Sequence, residues 1–178
     1  KGAKKTRIMI ELVDTHCHIH FDYYDLEPDD VIKEANKNGV TRMLCVGCTL
    51  EDSKAGIDFV KDRDNAWATI GLHPHEGSVY ADDKDALSEF AVLAAKPKVV
   101  AIGETGLDYY YNHSSRDTQI KLLEFQLDLA AKHNLPLIFH VRDAFVDFWP
   151  IFDNFKGLSG VVHSFSATTK ELDSILKR

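Results

Sequence analysis

Six strand-length apolar runs recur along the chain, and each is followed by a segment with helical periodicity. Each run is rich in Val, Ile or Leu, as parallel strands covered on both faces require. Equivalent positions of neighbouring runs lie 24 to 38 residues apart, and a βαβ unit takes roughly 30. The alternation predicts an α/β fold with a parallel sheet. The runs begin at Ile10, Arg42, Trp67, Val99, Pro136 and Gly160.

The segments between the runs carry helix signals. The longest has an apolar stripe formed by Ile120, Leu123, Leu127 and Ala130. Asn134 and Pro136 are typical of the end of such a helix. Asp143 suits the N-cap of the next helix, and we expect that helix to break near Pro150.

Two architectures accommodate six strand–helix units: an open doubly wound sheet and a (β/α)8 barrel. No G-x-G-x-x-G motif follows the first run, which weakens the dinucleotide-binding version of the open sheet. A barrel needs eight units and typically about 250 residues. The polar residues at the strand ends decide between the two.

Most of the predicted strands end in a side chain that can bind a metal ion. In a barrel the carboxyl ends of all strands meet at one mouth, whereas an open sheet spreads them along an edge. The pattern therefore predicts a TIM-like (β/α)8 barrel of which this chain covers about the first six units. The strand-end residues are His16, His18, His73, Glu104, His140 and His163.

The first of these strand ends places two histidines two residues apart. Side chains at i and i+2 of a strand share a face, so His16 and His18 should both point into the mouth and Cys17 away from it. Any one histidine alone is more often a hydrogen-bonded or surface residue than a ligand. So many imidazoles with one carboxylate suggest two divalent ions, with Glu104 as the bridging ligand.

Composition limits the kinds of partner. The net charge of the 178 residues is −7, which argues against an extended grip on duplex phosphates but leaves room for a pocket whose metal ions supply positive charge. No window approaches the roughly 20 apolar residues of a membrane span. Three cysteines give no disulfide framework and fit a reducing compartment, so we expect a cytoplasmic protein, or a nuclear one in a eukaryote.

We expect a single domain. Residues 1–8 read as an N-terminal extension or an expression remnant, and residues 9–178 as one barrel that is incomplete at its C-terminal end. No linker, charge block or low-complexity segment divides it.

Five motifs, in this order, resemble the TatD family of metal-dependent deoxyribonucleases. The resemblance runs from Val13 to Ser166 and implies a barrel of the metallo-dependent hydrolase superfamily. The motifs are VDTHCHIHFD from Val13, IGLHPHE from Ile70, AIGETGLDYY from Ala101, PLIFHVRDA from Pro136 and GVVHSFS from Gly160.

The same resemblance implies roles for individual residues. Glu104 would bridge the two ions and be the catalytic residue. A further metal-binding aspartate of the family, expected after a seventh or eighth strand, is not among the 178 residues. The ligands of the first ion would be His16 and His18, those of the second His140 and His163, and the substrate contacts His73, Arg142 and Tyr109.

The leading hypothesis is hydrolysis of phosphodiester bonds in DNA, exonucleolytic on single strands or ends. Two divalent ions (Mg, Mn, Zn, Ni or Co) would lower the pKa of a water molecule and brace the attacking and leaving oxygens. No membrane and no protein partner is required. One alternative is amidohydrolase-type hydrolysis of a small amide, lactone or phosphoester. The other is a non-catalytic metal-binding protein, if the chain ends at Arg178.

Overall fold

The structure, a computed structural model, describes residues 10–22, 25–111 and 113–178. Six parallel strands form one sheet and follow each other in chain order. This arrangement confirms the predicted parallel α/β fold. The strands are β1 (Leu12–Cys17), β2 (Val40–Cys45), β3 (Ala66–Ile70), β4 (Val99–Asp108), β5 (Leu137–Arg142) and β6 (Gly160–Val162).

Helices connect the strands, as each parallel crossover requires. A short 3-10 turn, Pro74–Glu76, precedes α3. Among the described residues, no helix combines the length and the apolar character needed to cross a bilayer. The helices are α1 (Pro28–Lys37), α2 (Leu50–Val60), α3 (Gly77–Tyr80), α4 (Lys84–Leu93), α5 (Arg116–His133), α6 (Phe145–Phe152) and α7 (Thr169–Leu176).

The sheet curls so strongly that its two outer strands meet at their carboxyl ends. His16 lies on β1 and His163 directly follows β6, yet their rings stack with centroids 4.2 Å apart. Six strands laid flat at about 4.8 Å spacing would hold these residues roughly 24 Å apart. The curl excludes an open sheet and gives the TIM-like barrel architecture that the strand ends predicted.

The core lies between the middle of the sheet and the surrounding helices. Every residue of β4 except Val100 is buried, because α5 covers one face and the barrel interior the other. Leu123 and Leu127 of α5 and Phe148 of α6 are almost fully buried in the same cluster. This packing fixes β4, the strand that carries Glu104, at the centre of the molecule.

Some local expectations were confirmed and others were wrong. Asn134 ends α5 in the left-handed conformation, as predicted. Asp143 is not the N-cap of α6: Ala144 holds that position, and Asp143 has a φ of 53°. Pro150 does not break α6, which continues to Phe152, since its aromatic side chains pack on the core. Strand β4 runs four residues beyond the predicted end at Glu104.

Gly106 allows β4 and β5 to approach closely beneath the mouth. Its φ is +150°, and a Cβ atom added there would overlap the carbonyl oxygen of His140. Gly157 also has a positive φ, +76°, but a Cβ atom would meet nothing within 4 Å. Both positions have a positive φ, which favours glycine, but they differ in steric room.

We therefore expect Gly106→Ala to lower the free energy of unfolding by about 3 kcal/mol more than Gly157→Ala, because only the former forces two strands apart. Chemical denaturation of the two variants measures the difference. Equal losses would show that strand spacing at Gly106 does not constrain the fold.

Candidate metal centre

The side chain of Glu104 lies at the centre of the mouth and is surrounded by imidazoles. Its Oε1 atom is 2.5 Å from His163 Nε2 and 3.0 Å from His140 Nδ1. His16 Nε2 is 3.5 Å from Oε2, and His73 Nε2 is 3.6 Å from Oε1. The histidines come from four different strand ends, so the curl of the sheet assembles the cluster.

Glu104 is held as a carboxylate. Only 5% of the residue is exposed, and burial alone would raise its pKa. Hydrogen bonds to His140, His16 and His163 outweigh burial and keep the pKa of Glu104 far below the usual range. A buried carboxylate facing several imidazoles is the donor chemistry that divalent metals use in proteins.

His16 and His18 form one candidate ligand group with Glu104. The ring nitrogen Nδ1 of His18 donates to the Val46 carbonyl oxygen at 2.9 Å, which leaves Nε2 unprotonated. His16 turns Nε2 toward Glu104, 3.5 Å from Oε2, so this nitrogen is placed to share an ion with the carboxylate. Cys17 points the other way, with Sγ 3.4 Å from the Leu44 carbonyl oxygen. These donors fit a divalent ion.

His140 and His163 meet Glu104 from the other side. His140 Nε2 donates to Asp108 Oδ2 at 2.9 Å, so Nδ1 is the atom available to a metal. His163 Nε2 lies 3.4 Å from that nitrogen. Burial lowers the pKa of His140, but hydrogen bonds to Glu104 and Asp108 outweigh it and raise the pKa. A metal ion would replace the Nδ1 proton that now faces Glu104.

His73 is a hydrogen-bond donor to the mouth. Its Nδ1 accepts the backbone N–H of His75 at 3.2 Å. Burial lowers the pKa of His73 to about 3, so the ring is neutral and its single proton must lie on Nε2. His73, Glu104 and His140 are close enough to form a ligand group. A metal ion on His73 Nε2 would have to move its proton to Nδ1, which already accepts a backbone N–H. The geometry favours the predicted substrate contact.

The remaining predicted site residues lie outside the cluster around Glu104. The guanidinium of Arg142 lies 3.9 Å from the centre of the Tyr110 ring. Tyr109 donates its hydroxyl to Asp147 at 2.9 Å and its ring lies under Arg116. The substrate roles of Arg142 and Tyr109 stay predictions.

The third histidine of the first motif is also outside the cluster. His20 Nε2 lies 2.7 Å from Asp52 Oδ1, and its side chain is fully buried. Asp52 in turn accepts the backbone N–H of Cys48 at 2.6 Å. The His20 ring thus packs against Asp52, next to the loop after β2, and away from Glu104.

Asp108 is a central residue that sequence reasoning missed. Its side chain is fully buried, and Oδ2 accepts from both His140 and His75 at about 3 Å. Burial raises the pKa of Asp108, but backbone N–H donors and the two histidines lower it to about 2. A carboxylate behind a ligand histidine fixes its tautomer. The signal was the spacing of four residues from Glu104 along one strand face.

The chain belongs to the family described as "TatD related DNase", whose model matches residues 13–178. This match confirms the family that the five motifs indicated. It also covers every residue of the cluster.

Curated relatives agree with the family match. One is the "3'-5' ssDNA/RNA exonuclease TatD" of Cronobacter sakazakii, 34% identical over 169 residues. Another is the "Uncharacterized metal-dependent hydrolase YabD" of Bacillus subtilis, 33% identical over 168 residues. The alignments cover 94% and 93% of this chain but 64% and 65% of the two relatives. The chain thus spans somewhat less than two thirds of their length.

Solved structures share the fold. A TatD family hydrolase of Entamoeba histolytica superposes with a TM-score of 0.82 at 28% identity, over 94% of this chain and 62% of its own. The TatD homologue YjjV of Escherichia coli gives a TM-score of 0.84 at 26% identity, over 96% and 66%. Both support the TIM-like architecture.

Asp108→Asn should weaken metal binding roughly 10- to 100-fold. The backbone N–H groups of Tyr110 and Tyr111 now donate to Asp108 Oδ1 at 3.0 Å, and the amide oxygen of Asn would take that place. The NH2 group would then face His140 Nε2 and shift the ring proton to Nδ1. Calorimetric titration with Mn²⁺ measures the loss. Asp147→Asn, which alters a carboxylate bonded to Tyr109, is the matched control. An unchanged affinity in Asp108→Asn would exclude this orienting role.

Proposed function

We propose that the protein is a metal-dependent nuclease that hydrolyses phosphodiester bonds in nucleic acid. The observation that carries the proposal is the convergence of imidazoles from four strand ends on the buried carboxylate of Glu104. Membership of the "TatD related DNase" family supports it. The carboxylate is the proposed catalytic residue because it holds both ligand groups together.

Two divalent ions are proposed, one on each side of Glu104. His16 and His18 would hold the first, and His140 with His163 the second. Bound ions supply Lewis acidity toward a phosphodiester oxygen and lower the pKa of water. Imidazole and carboxylate donors admit Mg, Mn, Zn, Ni or Co.

His73 and Arg142 are proposed to contact the substrate phosphate. The protonated Nε2 of His73 faces the mouth, where it can donate a hydrogen bond to a phosphate oxygen. Arg142 ends β5 two residues after His140, so its guanidinium approaches the same mouth. A guanidinium suits two-pronged contact with phosphate.

Single-stranded nucleic acid or a strand end is the proposed substrate. A protein of net charge −7 has little means of gripping a long duplex through its phosphates. Relatives named as 3'-5' ssDNA/RNA exonucleases support an exonuclease. The free thiols of Cys17, Cys45 and Cys48 support a cytoplasmic location.

Glu104→Gln should lower metal-dependent nucleotide release at least about 1,000-fold, since about 4 kcal/mol of transition-state stabilisation depends on the ions it holds. Release of nucleotides from a labelled single-stranded oligonucleotide by the full-length protein is the assay. EDTA should abolish release, and added Mn²⁺ should restore it. Glu171→Gln, at a carboxylate bonded to Trp149, is the control. Wild-type rates in Glu104→Gln would refute the proposal.

His73→Ala should raise KM for the oligonucleotide about tenfold, the effect of roughly 1.4 kcal/mol of lost hydrogen bonding to a charged phosphate. The number of metal ions per chain, measured by elemental analysis, should stay the same, because the Nε2 proton keeps His73 from being a ligand. Loss of one ion per chain would instead identify His73 as a ligand.

A further inference from the structure

Exposed aromatic rings stand beside the histidine cluster, and the proposed chemistry does not use them. Tyr110 is 58% exposed and Tyr111 44% exposed, in the segment that follows β4 and Tyr109. With His113 and Arg142 they form a group that we call the aromatic platform. Aromatic rings therefore line one side of the mouth, beside the candidate metal centre.

The rings of the aromatic platform are in contact with each other and with Arg142. The centroids of Tyr110 and Tyr111 are 4.8 Å apart with an angle of 85° between the rings. The Arg142 guanidinium lies against both rings, 3.9 Å from the Tyr110 centroid and 4.9 Å from the Tyr111 centroid. His113 stacks on Tyr111 at 5.7 Å and 24°. These contacts hold the rings in fixed orientations.

The backbone beneath the rings is anchored to the metal centre. Asp108 Oδ1 accepts the N–H groups of both Tyr110 and Tyr111 at 3.0 Å, while Oδ2 orients His140. One carboxylate thus positions a candidate metal ligand and the two exposed rings. The His75 ring lies between them, 5.7 Å from Tyr111 and 6.1 Å from His140.

The charge of the platform suits a polyanion. Within residues 10–22, 25–111 and 113–178, the recorded side-chain contacts of Arg142 are with the two tyrosine rings and no carboxylate pairs with it. An arginine held by rings keeps its donors for an incoming anion. Among the residues that the structure describes, the platform therefore offers flat apolar faces and a cation that no carboxylate pairs with.

We propose that Tyr110 and Tyr111 stack against the bases of a single-stranded nucleic acid while Arg142 contacts its backbone. This inference rests on the proposed function, since it takes nucleic acid as the substrate. Stacking on aromatic rings tolerates any base and requires unpaired bases. A platform one histidine ring away from the metal centre would hold the nucleotides next to the scissile phosphate and select single strands over duplex.

The test compares two single-stranded DNA oligonucleotides, one normal and one with abasic residues at its last three 3′ positions. Binding to the full-length protein is measured by fluorescence anisotropy in EDTA, and KM and kcat are measured with Mn²⁺. Tyr111→Leu and Tyr110→Leu should each weaken binding of the normal oligonucleotide about tenfold. The weaker binding should appear as a higher KM for the normal oligonucleotide. Tyr111→Phe should restore most of the affinity that Tyr111→Leu loses.

The abasic oligonucleotide separates stacking from other losses. Wild type should bind it more weakly, and the leucine variants should weaken its binding no further. Val146→Ala, at a 77% exposed residue of α6, should match wild type on both. Two results would overturn the platform: leucine variants that bind the normal oligonucleotide as wild type does, or variants that lose the same affinity for both oligonucleotides. The rings would then serve another kind of partner. Absence of cleavage by wild type would refute the proposed function, whereas binding in EDTA tests the platform independently.

Discussion

The buried carboxylate of Glu104 is the constraint on which the rest of the structure depends. An ionised group in the interior is very costly unless charges or hydrogen bonds compensate it. Here the compensation comes from imidazoles on β1 and β5 and from those that follow β3 and β6. Those positions can meet only if the sheet curls. The ionised carboxylate at the centre therefore depends on the curvature of the barrel.

Close backbone contact around β4 makes that arrangement possible. A Cβ atom at Gly71 would overlap the backbone nitrogen of Glu104, and one at Gly106 would overlap His140. The Glu104 N–H also donates to the Gly47 carbonyl oxygen at 2.8 Å. The backbone of the central carboxylate is therefore fixed by neighbouring strands on both sides. Such rigid support is what a metal centre needs to hold its ligands in place.

Much of the fold and part of the site could be predicted from the sequence, because both depend on simple periods. The strand–helix alternation predicted the parallel sheet. The two-residue strand period correctly predicted that Cys17 points away from His16 and His18. The sequence pattern placed the end of the fourth strand at Glu104, so it did not identify Asp108 as a residue of the same strand. In the structure β4 continues to Asp108, which places Asp108 on the face of Glu104.

The tertiary contacts of the site could not be predicted from local pattern. The tautomers of His73 and His140 depend on a backbone N–H and on Asp108, which only the folded chain brings to them. The substrate contact of Tyr109 stays a prediction. In the structure its hydroxyl donates to Asp147, a contact that no local pattern indicated, and Tyr110 and Tyr111 are exposed rings. Pro150 was expected to interrupt α6, but packing of the aromatic helix against the core overrode that local preference.

The curled sheet brings a central carboxylate and two sets of imidazoles together in one proposed two-ion centre. Anomalous X-ray scattering from crystals of the full-length protein soaked in Mn²⁺ tests it most directly. We predict two manganese peaks that share Glu104, one beside His16 and His18 and the other beside His140 and His163. A single peak, or a peak bound to His73, would contradict the account.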